Sequence, residues 1–465
     1  MPKYRLPEDL YSYQKEDYLK LSSMDGALNF SEMGVGKTPE SLAVIEEGGF
    51  KNPLIICPNS LRLEWERQIE EWVGEGLTAV SGTDSFLKLR PILDSFRKGK
   101  KYKVLNYETL RNKNHLEVLS YIPFDIIICD EIHKLRNPKT KLVKGAWKFF
   151  AQHPNSKILG LSGSPIMNYP NDLYVPLSIA KPDKYPPDLR SWRDFMYKYC
   201  LWSDGRYGPY VYGTRNLASL RQEIEPFVVR RTKKEVLPFL PEKYYRRALL
   251  EMKSDQRKLY NQMETELRVL LDTGEPLWST NVLSCLTRLR QINLDPQILG
   301  ITASSAKTEF LMDLVDSTDE KLVIYSCFEK YINLLSTVIL KDLPRVVITG
   351  EVPPDDRIVK VRQFQEDPSI KLCLGTIQTM GEGITLTASS NCILADRWWN
   401  QPTNLQAEDR LHRIGQRNPV QVILPVVKDS VDSTLDDILE RKNRLSESYY
   451  GESQVRQSII ETIRY

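Results

Sequence analysis

The chain has almost no charge excess. Its 465 residues carry 64 basic and 61 acidic side chains, a net +3, which is too near neutral for a protein that coats nucleic acid with its whole surface. Any such face must therefore be local. No apolar run reaches the roughly 18 residues of a membrane span. The first thirty residues contain Glu8, Asp9, Glu16, Asp17 and Asp25 and no apolar stretch, so no signal or transit peptide is readable. The seven cysteines include no C-x-x-C pair, which argues against a disulfide framework and a zinc ribbon. Cys57, Cys129, Cys327, Cys373 and Cys392 sit inside apolar strand-like runs and read as small buried hydrophobes. The expectation is a reducing cytosol, microbial or that of a virus's host, with a nuclear location left open. No repeat of 20 to 50 residues and no low-complexity tract is present. With 41% apolar and 27% charged residues, the composition is that of an ordinary globular protein, long enough for about three domains of roughly 150 residues.

What is present is a βα rhythm, which argues for an α/β fold. Short β-branched runs at Ala27–Phe30, Pro53–Cys57, Tyr102–Leu105, Phe124–Cys129 and Lys157–Leu161 alternate with amphipathic stretches. The alternation returns at Lys321–Ser326, Arg345–Thr349, Lys371–Thr376, Asn391–Ala395 and Val420–Val427. Two lobes follow, each a mostly parallel sheet covered by helices. Between them the strand signal fades, proline and aromatics punctuate, and Ser254–Leu271 has helical spacing, so helical insertions are expected there. The expected division is lobe 1 at 1–168, insertions and linker at 169–300, lobe 2 at 301–445, and a polar tail at 446–465.

Residues 31–38 read SEMGVGKT between a predicted strand and a predicted helix, the context a phosphate-binding loop requires. Gly34 and Gly36 let backbone N–H groups face phosphate oxygens, Lys37 supplies a point charge, and Thr38 offers a hydroxyl to Mg²⁺. Pro39 is harmless in a first helical turn. Ser31 departs from the strict pattern, which has glycine first. The strand at 124–129 delivers Asp130 and Glu131 to its C-terminal end, where open α/β sheets carry ligands. Asp130 can hold Mg²⁺ and Glu131 can polarise a water. In lobe 2 there is no second phosphate loop, but QAEDRLHRIGQ (406–416) sets Arg410 and Arg413 three apart. On a helix both guanidiniums would leave one face, as a paired arginine finger aimed at a γ-phosphate requires. A solvated turn is the ordinary fate of an acid pair, and surface salt bridges that of exposed arginines. Their co-occurrence with Lys37 favours the catalytic reading.

In order, these strings resemble the SWI/SNF-type ATPases of helicase superfamily two over nearly the whole chain. LYSYQ, EMGVGKT, ICPNSLRLEWERQI, VLNYETL, DEIH and LSGSPIMN are similar to lobe-1 motifs of that family. PFVVRRTKKEVLPFLPEK resembles its inter-lobe signature, and LTRLRQINLDPQILG the stretch that follows it. IVKVRQFQ, LGTIQTMGEGITL, DRWWNQP and QAEDRLHRIGQ resemble lobe-2 motifs. Ser162 and Ser164 replace threonines, and Met380 stands where many members have a glycine. The resemblance implies two RecA-like lobes with ATP and Mg²⁺ bound in the cleft between them. Gln14, Gly34, Val35, Gly36, Lys37, Thr38, Gly383 and Gln406 would hold nucleotide, Thr38 and Asp130 the metal, and Lys37, Glu131, Arg410 and Arg413 would act in hydrolysis. It also implies double-stranded DNA, branched DNA included, as partner, gripped through phosphates. The candidate contacts are Ser60, Leu61, the Ser162–Pro165 turn with Gly163, Thr376 and Trp399.

The leading expectation is thus a monomeric DNA-dependent ATPase that translocates along duplex DNA without separating strands and remodels bound proteins or branched junctions. No bromo, chromo, SANT or zinc-finger module is visible. A strand-separating DNA or RNA helicase is the nearest alternative, and a scaffold that binds nucleic acid without hydrolysing ATP is a third. Arg230, Arg231, Lys233 and Lys234 form the densest basic cluster. It reads as a solvated face or, from its position between the lobes, as a group that braces closure or touches ATP-bound lobe 2.

Overall fold

A computed structural model describes residues 2–74, 78–80, 92–94, 98–165, 169–205, 208–272, 280–381 and 383–444. The chain divides into two compact units, Met1–Pro238 and Phe239–Tyr465. The stretch expected between the lobes is therefore shared, with 169–238 in the first unit and 239–300 in the second. The expected tail at 446–465 lies outside the described residues.

Unit 1 is built on β1 (Gly26–Asn29), β2 (Pro53–Cys57), β3 (Thr78–Val80), β4 (Tyr102–Asn106), β5 (Ile126–Asp130) and β6 (Lys157–Leu161), followed by a hairpin of β7 (Cys200–Gly205) and β8 (Gly208–Thr214), and by β9 (Val228–Val229). Its main sheet runs β3-β4-β2-β5-β6-β1-β9, and all its pairings are parallel. Helices α1 (Ser12–Ser22), α2 (Lys37–Glu47) and α3 (Arg62–Trp72) belong to the same unit. Side chains of successive strand residues point to opposite faces. Leu28, Leu54, Ile56 and Ile127 accordingly enter one core, while Ala27, Ile55, Ile126 and Ile128 enter another with Leu42, Val44 and Trp65. Burial on both faces explains why these strands read as continuous apolar runs.

Unit 2 has β10 (Lys243–Leu250), β11 (Leu322–Ser326), β12 (Arg345–Ile348), β13 (Leu372–Thr376), β14 (Asn391–Leu394) and β15 (Val420–Val427), ordered β10-β15-β14-β11-β13-β12 and again parallel. Met380, the departure from the family's glycine, is fully buried. A Cβ added at Gly375 would lie 1.9 Å from its sulfur, so the two residues pack as a small–large pair.

The strands read from sequence recur with boundaries shifted by a residue or two. Four in the supposedly helical middle were not expected: β7, β8, β9 and β10. β9 spans two residues. β10 lies at an edge and exposes most of its length, so KYYRRALL carries neither apolar alternation nor an apolar run. Among the described residues no helix is long and apolar enough to cross a membrane.

Gly145, in the helix Lys141–Ala151, approaches the backbone of the turn Tyr107–Arg111 so closely that an added Cβ would meet the Leu110 carbonyl oxygen at 1.9 Å. Alanine favours a helix by up to about 1 kcal/mol over glycine, but here the clash dominates. Gly145→Ala is expected to lower stability by about 1–3 kcal/mol in urea unfolding. An unchanged or raised midpoint would contradict that packing.

Candidate active site

The phosphate loop leaves β1 and enters α2 through Gly34 and Gly36, at φ of 80° and 89°, conformations that glycine reaches without the Cβ penalty. Inside the loop, the Lys37 ammonium donates to the carbonyls of Ser31 (2.8 Å) and Glu32 (2.9 Å). Helix α1 grips the loop's far end. Tyr13 Oη donates to the Val35 carbonyl at 2.6 Å, and Gln14 Nε2 lies 3.2 Å from the carbonyls of both Val35 and Gly36. A Cβ at Gly36 would stand 2.2 Å from Gln14 Nε2. At the near end, Ser31 N–H donates to Asn29 Oδ1 (3.1 Å), and Asn29 Nδ2 donates to Glu40 at 2.6 Å. Burial raises the Glu40 carboxyl well above the carboxylate range, and the Asp17 charge adds to it.

β5 ends at Asp130. The Trp65 indole N–H donates to its Oδ2 at 2.8 Å, the Glu131 N–H to its Oδ1 at 3.0 Å, and Tyr107 Oη to its backbone carbonyl at 2.8 Å. Burial first, and the Glu131 charge second, push the Asp130 carboxyl up, against Trp65 and the Lys37 charge. Its charged form would gain from a nearby cation. Glu131 adopts a left-handed backbone, φ 52° and ψ 48°, a strain of about 1–3 kcal/mol in a non-glycine residue. Its carboxylate lies 3.1 Å from His133 Nδ1, which is also 2.9 Å from Ser162 Oγ. Ser162 Oγ accepts from the Ser164 N–H at 3.1 Å. An added Cβ at Gly163 would meet Met33 of the phosphate loop at 2.3 Å. The loop, the acid pair and the serine turn thus form one contiguous set at the C-terminal ends of β1, β5 and β6.

In unit 2 the helix expected to carry both arginines ends at Glu408. Arg410 and Arg413 stand in the turns beyond it, so helical i,i+3 spacing is not what pairs them. They are paired by a common target instead. Arg410 Nη2 donates to the Gly381 carbonyl at 2.5 Å and Arg413 Nη1 to the Ile384 carbonyl at 3.2 Å, both on the loop after β13 that includes Gly383 (φ 72°). The turn is fixed from β10. Lys243 Nζ meets Glu408 at 3.0 Å and Asp409 at 3.3 Å, and Tyr245 Oη donates to Glu408 at 2.7 Å. Gln406 is buried.

The nucleic-acid candidates fare unevenly. Ser60, Gly163 and Ser164 are all half-buried. Leu61 is core. Ser162 is fully buried and engaged by His133, which leaves the turn's outer residues to meet a ligand. Thr376 is buried, its hydroxyl donating to Thr379 at 2.8 Å. Trp399 is 4% exposed and the Arg290 guanidinium lies 4.3 Å from its ring centroid. It belongs to the core of unit 2, which corrects its reading as a duplex contact. Ile166–Asn168, the end of LSGSPIMN, lie outside the described residues. Sequence reasoning had given no roles to Trp65, Tyr107, Tyr13, Asn29 or Glu40. Trp65 and Tyr107 fall inside strings already singled out, but nothing in their spacing shows that they hold Asp130.

Known families match the chain in two places. The SNF2-related domain covers residues 16–298, and the helicase conserved C-terminal domain covers 306–415. The mouse DNA annealing helicase and endonuclease ZRANB3 is 26% identical over 457 residues, 96% of this chain and 41% of its own length. The putative ATP-dependent helicase/translocase YwqA of Bacillus subtilis is 28% identical over 463 residues, 91% of this chain and 46% of its own. This chain therefore spans less than half the length of those relatives. A Sulfolobus solfataricus SWI2/SNF2 ATPase core solved in complex with double-stranded DNA aligns at 24% identity and TM-score 0.44, over 100% of this chain and 98% of that one. With the SNF2-related domain covering more than half of its residues, the chain belongs to the SNF2-related family.

Proposed function

We propose that the chain is an ATP-driven motor on double-stranded DNA, which hydrolyses ATP, moves along the duplex without separating its strands, and displaces or remodels bound proteins or branched junctions. The observation that carries this reading is the placement of Lys37, Asp130 and Glu131 at one edge of a parallel sheet, joined through His133 to the Ser162 turn. Lys37 is positioned to exchange backbone carbonyls for β and γ phosphates, to which a cation binds more strongly. Glu131, oriented beside His133, accepts the proton of the attacking water. Arg410 and Arg413 neutralise charge developing on the transferred phosphoryl group.

Among the described residues no cluster of three or more His, Cys, Asp or Glu side chains could hold a metal by itself. Thr38 and Asp130 nevertheless supply the hard oxygen donors with which Mg²⁺ is usually held beside substrate phosphates. When bound, that ion would offset phosphate charge. The serine turn is the route by which a nucleic-acid contact at Gly163 or Ser164 would reach the general base, through Ser162 and His133. DNA is favoured as the track by family membership and by relatives that include a DNA annealing helicase.

Replacing Lys37 by Ala is expected to abolish turnover, whereas Glu131→Gln should still bind ATP and fail to hydrolyse it. Near-normal hydrolysis by either variant would overturn the assignment. Arg413→Ala should cost on the order of 10³ in kcat, and a loss of only tenfold would make its role indirect. The track is tested by measuring ATP hydrolysis with duplex DNA, single-stranded DNA and RNA, alongside triplex-displacement and strand-unwinding assays. Stimulation by duplex with triplex displacement is the expected result, while efficient unwinding or dependence on RNA would favour a strand-separating helicase.

A further inference from the structure

The basic cluster at 230–234 is divided: Arg230 and Lys234 are exposed, whereas Arg231 is half-buried and Lys233 buried. β9 runs parallel to β1 with Val228 beside Leu28 and Val229 beside Asn29, and the chain beyond it continues alongside the first residues of the phosphate loop. The rungs fall on three consecutive loop residues. The Phe30 N–H donates to the Val229 carbonyl at 2.8 Å, the Arg231 N–H to Ser31 Oγ at 3.0 Å, and the Glu32 N–H to the Arg231 carbonyl at 2.9 Å. A fourth bond runs from the Lys233 N–H to the Glu32 carboxylate at 2.9 Å. Ser31 and Glu32 are the residues whose carbonyls hold Lys37.

The Arg231 side chain turns the other way, to α1. Its Nε and Nη2 reach Asp17 Oδ1 at 3.0 and 2.7 Å, and Nη2 also reaches Glu16 at 3.1 Å. The Asp17 side chain is 2% exposed. One turn earlier the same helix presents Tyr13 and Gln14 to the opposite end of the loop. Arg231 thus touches the loop's first residues through its backbone and the last through α1. Downstream, Thr232 and Glu235 close a capping box that stiffens Lys233–Val236, and two residues later the first unit ends at Pro238. The grip is therefore applied by the last stretch of chain before unit 2 begins.

We propose that Arg231 is a positioning residue that ties the segment leading into unit 2 to both ends of the phosphate loop, so that the loop's hold on nucleotide depends on where that segment lies. The serine at position 31 acquires a purpose here. A glycine there would supply no hydroxyl to accept the Arg231 N–H, and the departure from the strict loop pattern is the point at which the connector engages. Asp17 is buried while the Arg231 side chain is one-third exposed, so losing Arg231 would leave a buried charge uncompensated.

This inference rests on the chain's binding ATP. It is tested on the full chain with a fluorescent ATP analogue and with steady-state hydrolysis, comparing wild type, Arg231→Ala, Arg231→Lys, Asp17→Asn and the Arg231→Ala/Asp17→Asn double variant. Arg231→Ala and Asp17→Asn are each expected to weaken nucleotide binding and raise KM by about tenfold, the worth of one charge-assisted hydrogen bond, with a smaller change in kcat. The double variant should be no worse than the worse single one, because both break one interaction. Arg231→Lys, which keeps charge but loses the fork, should recover part of the loss. Affinity and KM within twofold of wild type in Arg231→Ala and Asp17→Asn, or losses that add in the double variant, would overturn the proposal. So would lowered unfolding temperatures with unchanged KM, the mark of a purely structural ion pair. Should Arg231→Ala fail to fold, Asp17→Asn and Arg231→Lys decide. A wild-type chain that binds no nucleotide would sink the functional reading and this inference together, whereas wild-type binding with indifferent variants would sink this one alone.

Discussion

A lysine ammonium held by two backbone carbonyls is the constraint on which the rest of the first unit is arranged. Lys37 bonds to Ser31 and Glu32, so the loop keeps its own cation at its centre. Carbonyls are neutral acceptors, whereas a phosphate oxygen adds the Coulombic attraction of a full opposite charge to the same hydrogen bond. A phosphate therefore outcompetes them without any need for the loop to unfold. For this exchange to be specific the carbonyls themselves must not drift. Asn29 and Glu40 hold Ser31 from below, Arg231 and Lys233 hold Ser31 and Glu32 from the side, and Tyr13 with Gln14 hold Val35 and Gly36. Much of the polar material buried around the loop serves this purpose.

The parallel sheet supplies the second element of the arrangement. Strands β1, β5 and β6 run in one direction, so the loop, the acid pair and the serine turn emerge at one edge within reach of each other. The left-handed backbone at Glu131 is the local cost of turning that carboxylate toward His133 while Asp130 is held by Trp65. His133 then lies between two demands, Glu131 on one side and Ser162 on the other. A change in the serine turn reaches Glu131 through a single imidazole, over a path too short to need a wider rearrangement.

Much of this was legible in the chain. The strands buried on both faces declare themselves as apolar runs, and the loop and the acid pair meet at one edge of the first unit's sheet. What was not legible has physical reasons. β9 is two residues long and β10 is an exposed edge strand, so neither carries a pattern. The burial of Trp399 follows from Arg290, more than a hundred positions away, which covers the ring and pairs with Asp396 at 3.0 Å. No local signal reports such a partner. The same holds for Arg231, whose neighbours look like a charge run until Asp17, over two hundred positions earlier, is seen to complete the pair.

The two arginines share a target on one loop, but not through the geometry that their spacing suggests. Spacing of three suggested one helical face, yet the helix stops at Glu408, and convergence comes from carbonyls on the loop after β13 instead. That distinction matters for how such groups act. Two side chains on a helix face move only with the helix, whereas two guanidiniums parked on the carbonyls of a glycine-containing loop can change acceptor while the turn that carries them stays fixed by Lys243 and Tyr245. The anchor lies on Glu408 and Asp409, next to Arg410 in sequence, and is rigid. The heads donate to neutral backbone carbonyls, as the Lys37 ammonium does. Both units therefore keep their proposed phosphate-binding cations in the same manner, on backbone oxygens within a firmly braced turn.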